Sequence, residues 1–322
     1  MKFLKIEKSI KSSNHIMCEY IKITFLGIKI SFHFKALNMI SEPCIPQPLN
    51  PVKPKIYLSV VAILKNEAPY IKEWIEFHKL VGVERFYLYN NDSEDNVKEI
   101  LSPYINDGTV IYQEVSGSVR QMPVYRDAIY RYRDETQWMA FIDLDEYIVP
   151  VEKDNIKDFL KDYEDYPAVG INWVMFDSNN HKTAPSDMLI TEAYTRVHKD
   201  YNMKENLHIK SIVNPRKVLM MYNPHFCIYP YNNFAVTENY EIIEGPFTKY
   251  NSVEKIRINH YYCKSEQEYI AKVSRGGANS TKKRTLSERH YNFSETTHDY
   301  VIQKYLPKLR EKIHNGPCTC FN

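Results

Sequence analysis

The chain has 322 residues, 43% of them hydrophobic, which supports one large domain or a domain with appendages. A net charge of +2 leaves no strong global field for nucleic acid, and no apolar run reaches the ~18 residues of a membrane span. The six cysteines (Cys18, Cys44, Cys227, Cys263, Cys318 and Cys320) show neither zinc nor disulfide spacing, which points to a reducing compartment and a cytoplasmic protein.

Along the chain, Met1 to Ile10 alternates lysine with apolar residues but lacks the core of a signal peptide. Residues 20–35 also alternate, and read as one or two short strands or an interfacial segment. Pro43, Pro46, Pro48, Pro51 and Pro54 then forbid regular structure and make a semi-rigid spacer, which sets a domain boundary near residue 55.

A βα rhythm follows. Ile56–Leu64 is a continuous apolar run of strand length, suited to a strand covered on both faces. Ile71, Trp74, Ile75, His78 and Val81 have helical spacing, and Gly82 closes that helix. Phe86–Tyr89 is a second strand, after which Asp92 or Ser93 caps a helix ending near Tyr104. Thr109–Val115 is a third strand, Pro123–Asp134 a helix and Gln137–Ile142 a fourth strand. This alternation implies a mostly parallel sheet flanked by helices, an α/β, Rossmann-like class. The second half is less regular. Ala168–Phe176, Ile209–Val213, Val218–Met221 and Ile256–Tyr262 read as strands, Ser265 with Glu268 as a capping box, and Val301–Ile313 as a basic amphipathic helix.

The fourth strand delivers Asp143-Leu144-Asp145-Glu146-Tyr147. If the strand continues this far, Asp143 and Asp145 share a face and Leu144 points into the core. Two adjacent carboxylates repel unless a cation lies between them, and a hard divalent ion shared with substrate phosphates fits the pair. A solvated acidic turn is the competing reading, and the motif alone leaves both open. The strand ends add Lys65, Asn66 and Glu67 after the first strand, and Asn90, Asn91, Asp92 and Asp95 after the second. In a parallel sheet these clusters converge on one crevice. Their amides and carboxylates suit a pyrimidine and a ribose. Arg126 with Asp127 offers a diphosphate contact, or else a surface pair of Asp127 with Arg131. His260, in Asn259-His260-Tyr261-Tyr262, would complete a divalent site better suited to manganese than calcium, or is a core histidine. His225 is a second isolated histidine. Lys264, Lys272 and Arg275-Gly276-Gly277 form a basic, glycine-permissive stretch that can cradle phosphate, or a flexible connector. Trp173 is a sugar-stacking candidate or a core tryptophan. The high tyrosine content, 26 residues, suits sugar or base contacts and equally reflects an AT-rich coding sequence. No phosphate-binding Gly-x-x-x-x-Gly-Lys loop, Gly-x-Ser-x-Gly elbow, His-Glu-x-x-His or Gly-x-Gly-x-x-Gly is present.

Several segments, taken in order, resemble one family. They are Lys65-Asn66-Glu67, Trp74-Ile75-Glu76-Phe77-His78, Tyr89-Asn90-Asn91-Asp92-Ser93, Tyr125-Arg126-Asp127-Ala128, Phe141 to Tyr147, Lys210-Ser211-Ile212-Val213 and Asn259 to Tyr262. Over about residues 56–280 this set is similar to the bacterial glycosyltransferases of families 2 and 92, the latter shared with animal and plant β-galactosyltransferases. The resemblance implies a GT-A-like fold, a nucleotide-sugar donor, UDP-linked, and a divalent cation, Mn2+ or Mg2+, on Asp143 and Asp145. It implies His260 as the carboxyl-terminal metal ligand and inversion at the anomeric carbon with a carboxylate base. The base has no unambiguous match, and Asp177 and Glu238 are the two candidates. From the residue types and spacing given above, Lys65, Asn66, Glu67, Asn91, Asp92, Arg126, Asp127, Lys264 and Arg275 are the expected donor contacts.

The expected layout is an extension and linker over residues 1–54, a GT-A-like domain over 55–290, and a basic helix and tail over 291–322. The expected activity is metal-dependent transfer of a hexose, with galactose a family-level expectation. The acceptor would be a surface glycan or lipid-linked molecule, as in lipopolysaccharide or capsule synthesis. The basic amphipathic ends suggest peripheral contact with an anionic membrane, against a solvated helix face. A noncatalytic nucleotide-sugar-binding scaffold on the same fold and a metal-dependent phosphohydrolase are the rival readings.

Overall fold

The computed structural model describes residues 53–275, 286 and 292–315, and the backbone of residues 4–13, 16–25 and 28–35. The chain divides into two compact units, residues 1–52 with Pro230–Asn233, and the remainder. In the first unit, β1 (Leu4–Ser13), β2 (Ile16–Phe25) and β3 (Ile28–Lys35) form an antiparallel meander.

The second unit begins with β4 (Ile56–Leu64), α1 (Ala68–Leu80), β5 (Arg85–Asn91), α2 (Val97–Asn106), β6 (Val110–Val115), α3 (Gln121–Tyr132) and β7 (Thr136–Phe141). Strands β7, β4, β5 and β6 lie side by side and parallel. The apolar run of β4 is explained by burial on both faces. Leu58, Val60, Ala62 and Leu64 pack with Ile71, Trp74 and Ile75 of α1, whereas Val61 and Ile63 pack with Val124, Tyr125 and Ala128 of α3. Gly82 closes α1 at φ +108, and a Cβ there would collide with the Asn155 side chain. Asn96 occupies the cap position of α2. The expected caps are used elsewhere, because Ser93 Oγ accepts from the Asn66 amide at 2.9 Å and Asp92 holds Gly117.

The acidic motif departs from its expected setting. β7 ends at Phe141, and a turn closed by the Glu146 amide on the Asp143 carbonyl (3.1 Å) leads into β8 (Glu146–Pro150). Asp143 and Asp145 therefore sit on a tight turn and not along a strand. Past it come α4 (Ile156–Leu160), β9 (Ala168–Met175), α5 (Ile190–Ala193), β10 (Arg196–His198) and β11 (Ile209–Val213). β11 inserts antiparallel between β7 and β9. Strands β12 (Met220–Asn223) and β13 (Phe226–Ile228) form a hairpin. β14 (Ala235–Val236), β15 (Ile242–Ile243) and β16 (Ile256–His260) follow. The first residues of β9 pair with β14, and its last with β16, both parallel, while β16 also pairs antiparallel with β8. The chain then runs through α6 (Glu266–Arg275), β17 (Thr296–His298), a 3-10 turn over Val301–Tyr305, and α7 (Leu306–Asn315).

Strands β4, β5, β6, β7, β9 and β16 run parallel and thus present their carboxyl ends on one edge, and the start of β11 lies among them. The excursion from β9 to β11, residues 176–208, leaves the sheet at that edge and returns to it there. The carboxyl-terminal helix faces inward. Ile302, Tyr305 and Leu309 are buried in the core, Arg310 pairs with Glu192 and Lys304 with Asp154. Its apolar side is committed to the fold. Among the described residues, no helix is long and apolar enough to cross a membrane.

His78 locks α1 to β8. Its Nδ1–H donates to the Trp74 carbonyl (2.8 Å), and Nε2 accepts from the Ile148 amide (3.2 Å). Burial lowers its pKa from 6.5 to about 3. Between those values the unfolded chain takes up a proton that the native state refuses, so stability falls as pH drops from about 6.5 toward about 3, by at most ~1.4 kcal/mol per pH unit. We expect His78→Gln, which can keep both hydrogen bonds, to flatten this acid limb in urea titrations; an unchanged limb would show that His78 does not generate it.

Candidate active site

A cavity of about 440 Å³ opens on the carboxyl edge of the sheet, within the size range of small-molecule sites. Lys65, Glu67, Asn91, Asp92, Asp143, Asp145, His225, His260 and Lys272 line it, as do the loop Gly117–Val119 with Gln121, and Trp173. Three of the strand-end clusters singled out in the sequence therefore meet in one space.

Each group is held in place by its neighbours. Asn66 adopts φ +56, where its Oδ1 accepts from the Glu94 amide (2.8 Å), so the loops after β4 and β5 are stitched together. Asn91 Nδ2 reaches the Gly117 carbonyl (2.9 Å), and Asp92 Oδ2 accepts from the Gly117 amide (2.8 Å). That amide holds the Asp92 carboxyl below its usual pKa. The loop after β6 is thereby fastened to the end of β5.

Lys210 is the cation beneath the acidic turn. It is 1% exposed, and its ammonium lies 2.9 Å from Asp143 Oδ2 and 3.3 Å from Glu146 Oε2. Gln121 donates to Asp143 Oδ1 at 2.8 Å. Burial disfavours the Asp143 anion, but the charge and hydrogen bond of Lys210 together with His260 outweigh it, and the carboxyl lies below the usual range. Asp145 is held well below that range despite burial, by Lys272 and His260. Its Oδ2 contacts the Lys272 ammonium and lies 3.6 Å from His260 Nε2. Glu146 goes the other way. Fully buried, its carboxyl rises to about 8, so the group is largely protonated at neutral pH. Burial likewise lowers the His260 pKa, leaving a neutral imidazole able to act as a ligand.

Among the described residues, no group of three or more His, Cys, Asp and Glu side chains is gathered closely enough to hold a metal by itself. The donor chemistry nevertheless fits a divalent cation completed by substrate oxygens. Two ionised carboxylates and a neutral imidazole line one cavity, and Asp145 already holds a positive charge in the Lys272 ammonium.

The other expected residues lie elsewhere. Asp177 does not line the cavity. It is fully buried and receives Arg196, the Asn179 amide (2.9 Å) and the Phe293 amide (3.2 Å). Glu238 accepts at 2.8 Å from Ser252 Oγ and from the amides of Glu254, Lys255 and Ile256, which makes it the clamp of that loop. Neither carboxylate has capacity or access for an acceptor proton. Arg126 donates to the Met221 carbonyl (3.3 Å), and Asp127 pairs with Arg131 (2.8 Å), the helix-surface alternative. Lys264 sits over the Tyr70 ring at 3.8 Å, 3.5 Å from Glu67 Oε2, behind the cavity wall. The Arg275 side chain and Gly276-Gly277 lie outside the described residues. Lys210, Gln121 and the Gly117 loop carry functions that residue-type reasoning did not assign. A lone lysine within the apolar strand Ile209–Val213 was the available signal for the first.

The model of Glycosyltransferase family 92 matches residues 58–310. A glycosyltransferase family 92 protein of Ricinus communis is 30% identical over 42% of this chain and 26% of its own length. Galactan beta-1,4-galactosyltransferase GALS3 of Arabidopsis thaliana is 30% identical over 34% of this chain and 23% of its own. The chain spans about a fifth to a quarter of the first curated relatives, 20% and 26% in two of them. Among solved structures, S. aureus TarS 1–349 in complex with UDP is 17% identical, with TM-score 0.34, covering 50% of this chain and 47% of that one.

The Lys210 cluster predicts an asymmetry. Glu146→Gln replaces a largely neutral group and should shift stability by less than about 1 kcal/mol at pH 7, whereas Lys210→Ala strips Asp143 of its buried counter-charge and should cost about 3–5 kcal/mol. Equal losses in urea denaturation would contradict this assignment of charge.

Proposed function

The chain belongs to glycosyltransferase family 92, and from that premise we propose that it transfers a hexose from a UDP-linked donor to a glycan acceptor. The observation that carries the proposal is the meeting of Asp143, Asp145 and His260 with the polar ends of β4 and β5 in one cavity. A nucleoside diphosphate needs these two chemistries side by side: amides and carboxylates for base and ribose, and positive charge for the pyrophosphate.

The residues divide accordingly. Asn91, Asp92, Lys65 and the Gly117 loop form the nucleoside end, and their mutual hydrogen bonds preorganise it. At the centre, Asp145, His260 and Asp143 would hold Mn2+ or Mg2+, which supplies Lewis-acid stabilisation of the leaving diphosphate. Lys272 places an ammonium at the same point, and on donor entry this charge is available to phosphate oxygens. Lys210 keeps Asp143 ionised and fixed from below, so the turn does not collapse when the cavity is charged. In the transfer, the acceptor oxygen bonds to the anomeric carbon as the bond to diphosphate breaks, and the hydroxyl proton passes to a carboxylate at the cavity wall. Inversion is the stereochemistry we assign to this single displacement. Galactose is the donor sugar that the named relatives favour. A surface polysaccharide or lipid-linked glycan, reached at the membrane periphery, is the acceptor class we assign.

The test incubates the chain with UDP-galactose and Mn2+, scoring free UDP and transfer to oligosaccharides. We expect Asp143→Ala and Asp145→Ala each to lower turnover about 10²–10³-fold and to abolish Mn2+ binding in calorimetry. Full metal-independent turnover in the double variant would end the proposal. Lys272→Met removes the ammonium that competes for Asp145. It should tighten Mn2+ binding without donor by roughly tenfold; weaker binding would mean that Lys272 supports the cation site.

A further inference from the structure

The nucleoside end and the acidic turn account for the cavity only as far as β7 along the sheet. Beyond it, on the β11 and β9 side, the wall changes character and becomes aromatic. Trp173, near the end of β9, stacks on His208 (ring centroids 4.8 Å, 18°) and meets His225 (5.2 Å) and His260 (4.3 Å) edge-on. His208 in turn contacts Phe247 at 4.3 Å. Burial falls along this chain of rings. Trp173 is 9% exposed, His208 and His225 are half-buried, and Phe247 is 48% exposed. The rings make a continuous ramp from the cavity to solvent.

Phe247 is not a loose loop tip. A backbone bridge joins it to His208, the Thr248 amide donates to the Leu207 carbonyl (2.9 Å), and Thr248 Oγ1 accepts from Asn172 Nδ2 (2.7 Å). A large apolar ring is thus tied into the fold while exposed to water, and it is joined through His208 to Trp173 of the cavity wall. Both histidines are fixed as neutral tautomers. His208 Nδ1–H donates to the Glu205 carbonyl (3.0 Å) and His225 Nδ1–H to the Ile209 carbonyl (2.8 Å), which leaves Nε2 as an acceptor nitrogen on each ring. Burial lowers both pKa values, that of His225 to about 3.

We propose that His208, His225 and Phe247, backed by Trp173, form the acceptor subsite, a platform for pyranose rings of a neutral glycan. The C–H face of a pyranose is apolar and packs on an aromatic face, while its hydroxyls require acceptors at the rim, and the ramp offers both. Its polarity along the sheet is also right. The contacts assigned to the nucleoside lie at β5 and β4, Asp143 and Asp145 follow β7, and the ramp lies at β11 and β9, across β7 from β4, so an acceptor arriving along it comes from the side opposite the nucleoside. The ramp's own faces are apolar rings and neutral imidazoles, which favours a neutral glycan over a phosphorylated or uronic one. This assignment rests on the reading of the cavity as a donor site.

The two can be separated. The chain is titrated with UDP alone by calorimetry, and with β-1,4-galactotetraose and cellotetraose by saturation-transfer NMR in the presence of UDP. We expect at least one tetrasaccharide to receive saturation, with affinity weakened about tenfold by Phe247→Ala and by His208→Ala, while UDP affinity stays within about twofold. Retained UDP binding also reports that the variants are folded. The inference is overturned if the wild-type chain binds UDP but neither tetrasaccharide, or if Phe247→Ala binds them as tightly as wild type. Failure of UDP itself to bind overturns the donor reading, in a channel that does not depend on the ramp.

Discussion

The structure of the site depends on one buried cation. Lys210 lies beneath the acidic turn, touches both Asp143 and Glu146, and is almost completely shielded from solvent. Three carboxyl groups within four residues, joined by a tight turn, would otherwise repel one another at the mouth of a cavity. One ammonium cannot neutralise all three, and the protein resolves the excess unequally. Asp143 takes the lysine, Asp145 takes Lys272 and His260, and Glu146 retains its proton. The turn thereby shows the cavity two anions and keeps the third group silent. Burying an ion pair seldom adds stability for its own sake. Here the arrangement fixes geometry, since Glu146 Oε2 also accepts from the Asp143 amide at 2.8 Å and defines the turn.

Much of the architecture was legible in the sequence, for identifiable reasons. β4 was read at its observed bounds because it is a nearly continuous apolar run, β11 because Ile209, Ile212 and Val213 mark a short strand around Lys210, and α1 because its apolar spacing ends at a glycine that the backbone requires. The capping box at Ser265 and Glu268 is present as expected, with Ser265 Oγ donating to Glu268 at 2.6 Å. β8 escaped notice because it begins inside the acidic motif, where charge masks a strand whose five residues are all buried.

Of the residues read from the sequence, those at strand ends line the cavity, as does Lys272 of α6, whereas Arg126 and Asp127 of α3 do not. Lys65, Asn91, Asp92, Asp143, Asp145 and His260 all follow directly from a strand's carboxyl end, a position the parallel sheet itself dictates. Arg126 and Asp127 are charged residues next to the right strand in sequence, yet the turn of α3 points them toward Met221 and Arg131. Asp177 and Glu238 share a different confusion. A carboxylate that clamps backbone amides looks, in one dimension, like a carboxylate awaiting a proton. Only the tally of hydrogen-bond partners distinguishes them, and that tally is three-dimensional. Lys210 is the reverse case, a lone charge in an apolar strand whose partners are far away in the chain.

The antiparallel insertion of β11 has a further consequence. Because β9 and β11 are neighbours running in opposite directions, residues 176–208 leave the sheet and return to it at adjacent points. Such an excursion behaves like a cassette: its exposed parts can change in length and composition while β9 and β11 keep their register, since its two ends remain pinned side by side. His208 stands at the rim of that cassette. Within this fold, evolution can therefore exchange the surroundings of one side of the cavity while the turn, its lysine and the polar ends of β4 and β5 stay as they are.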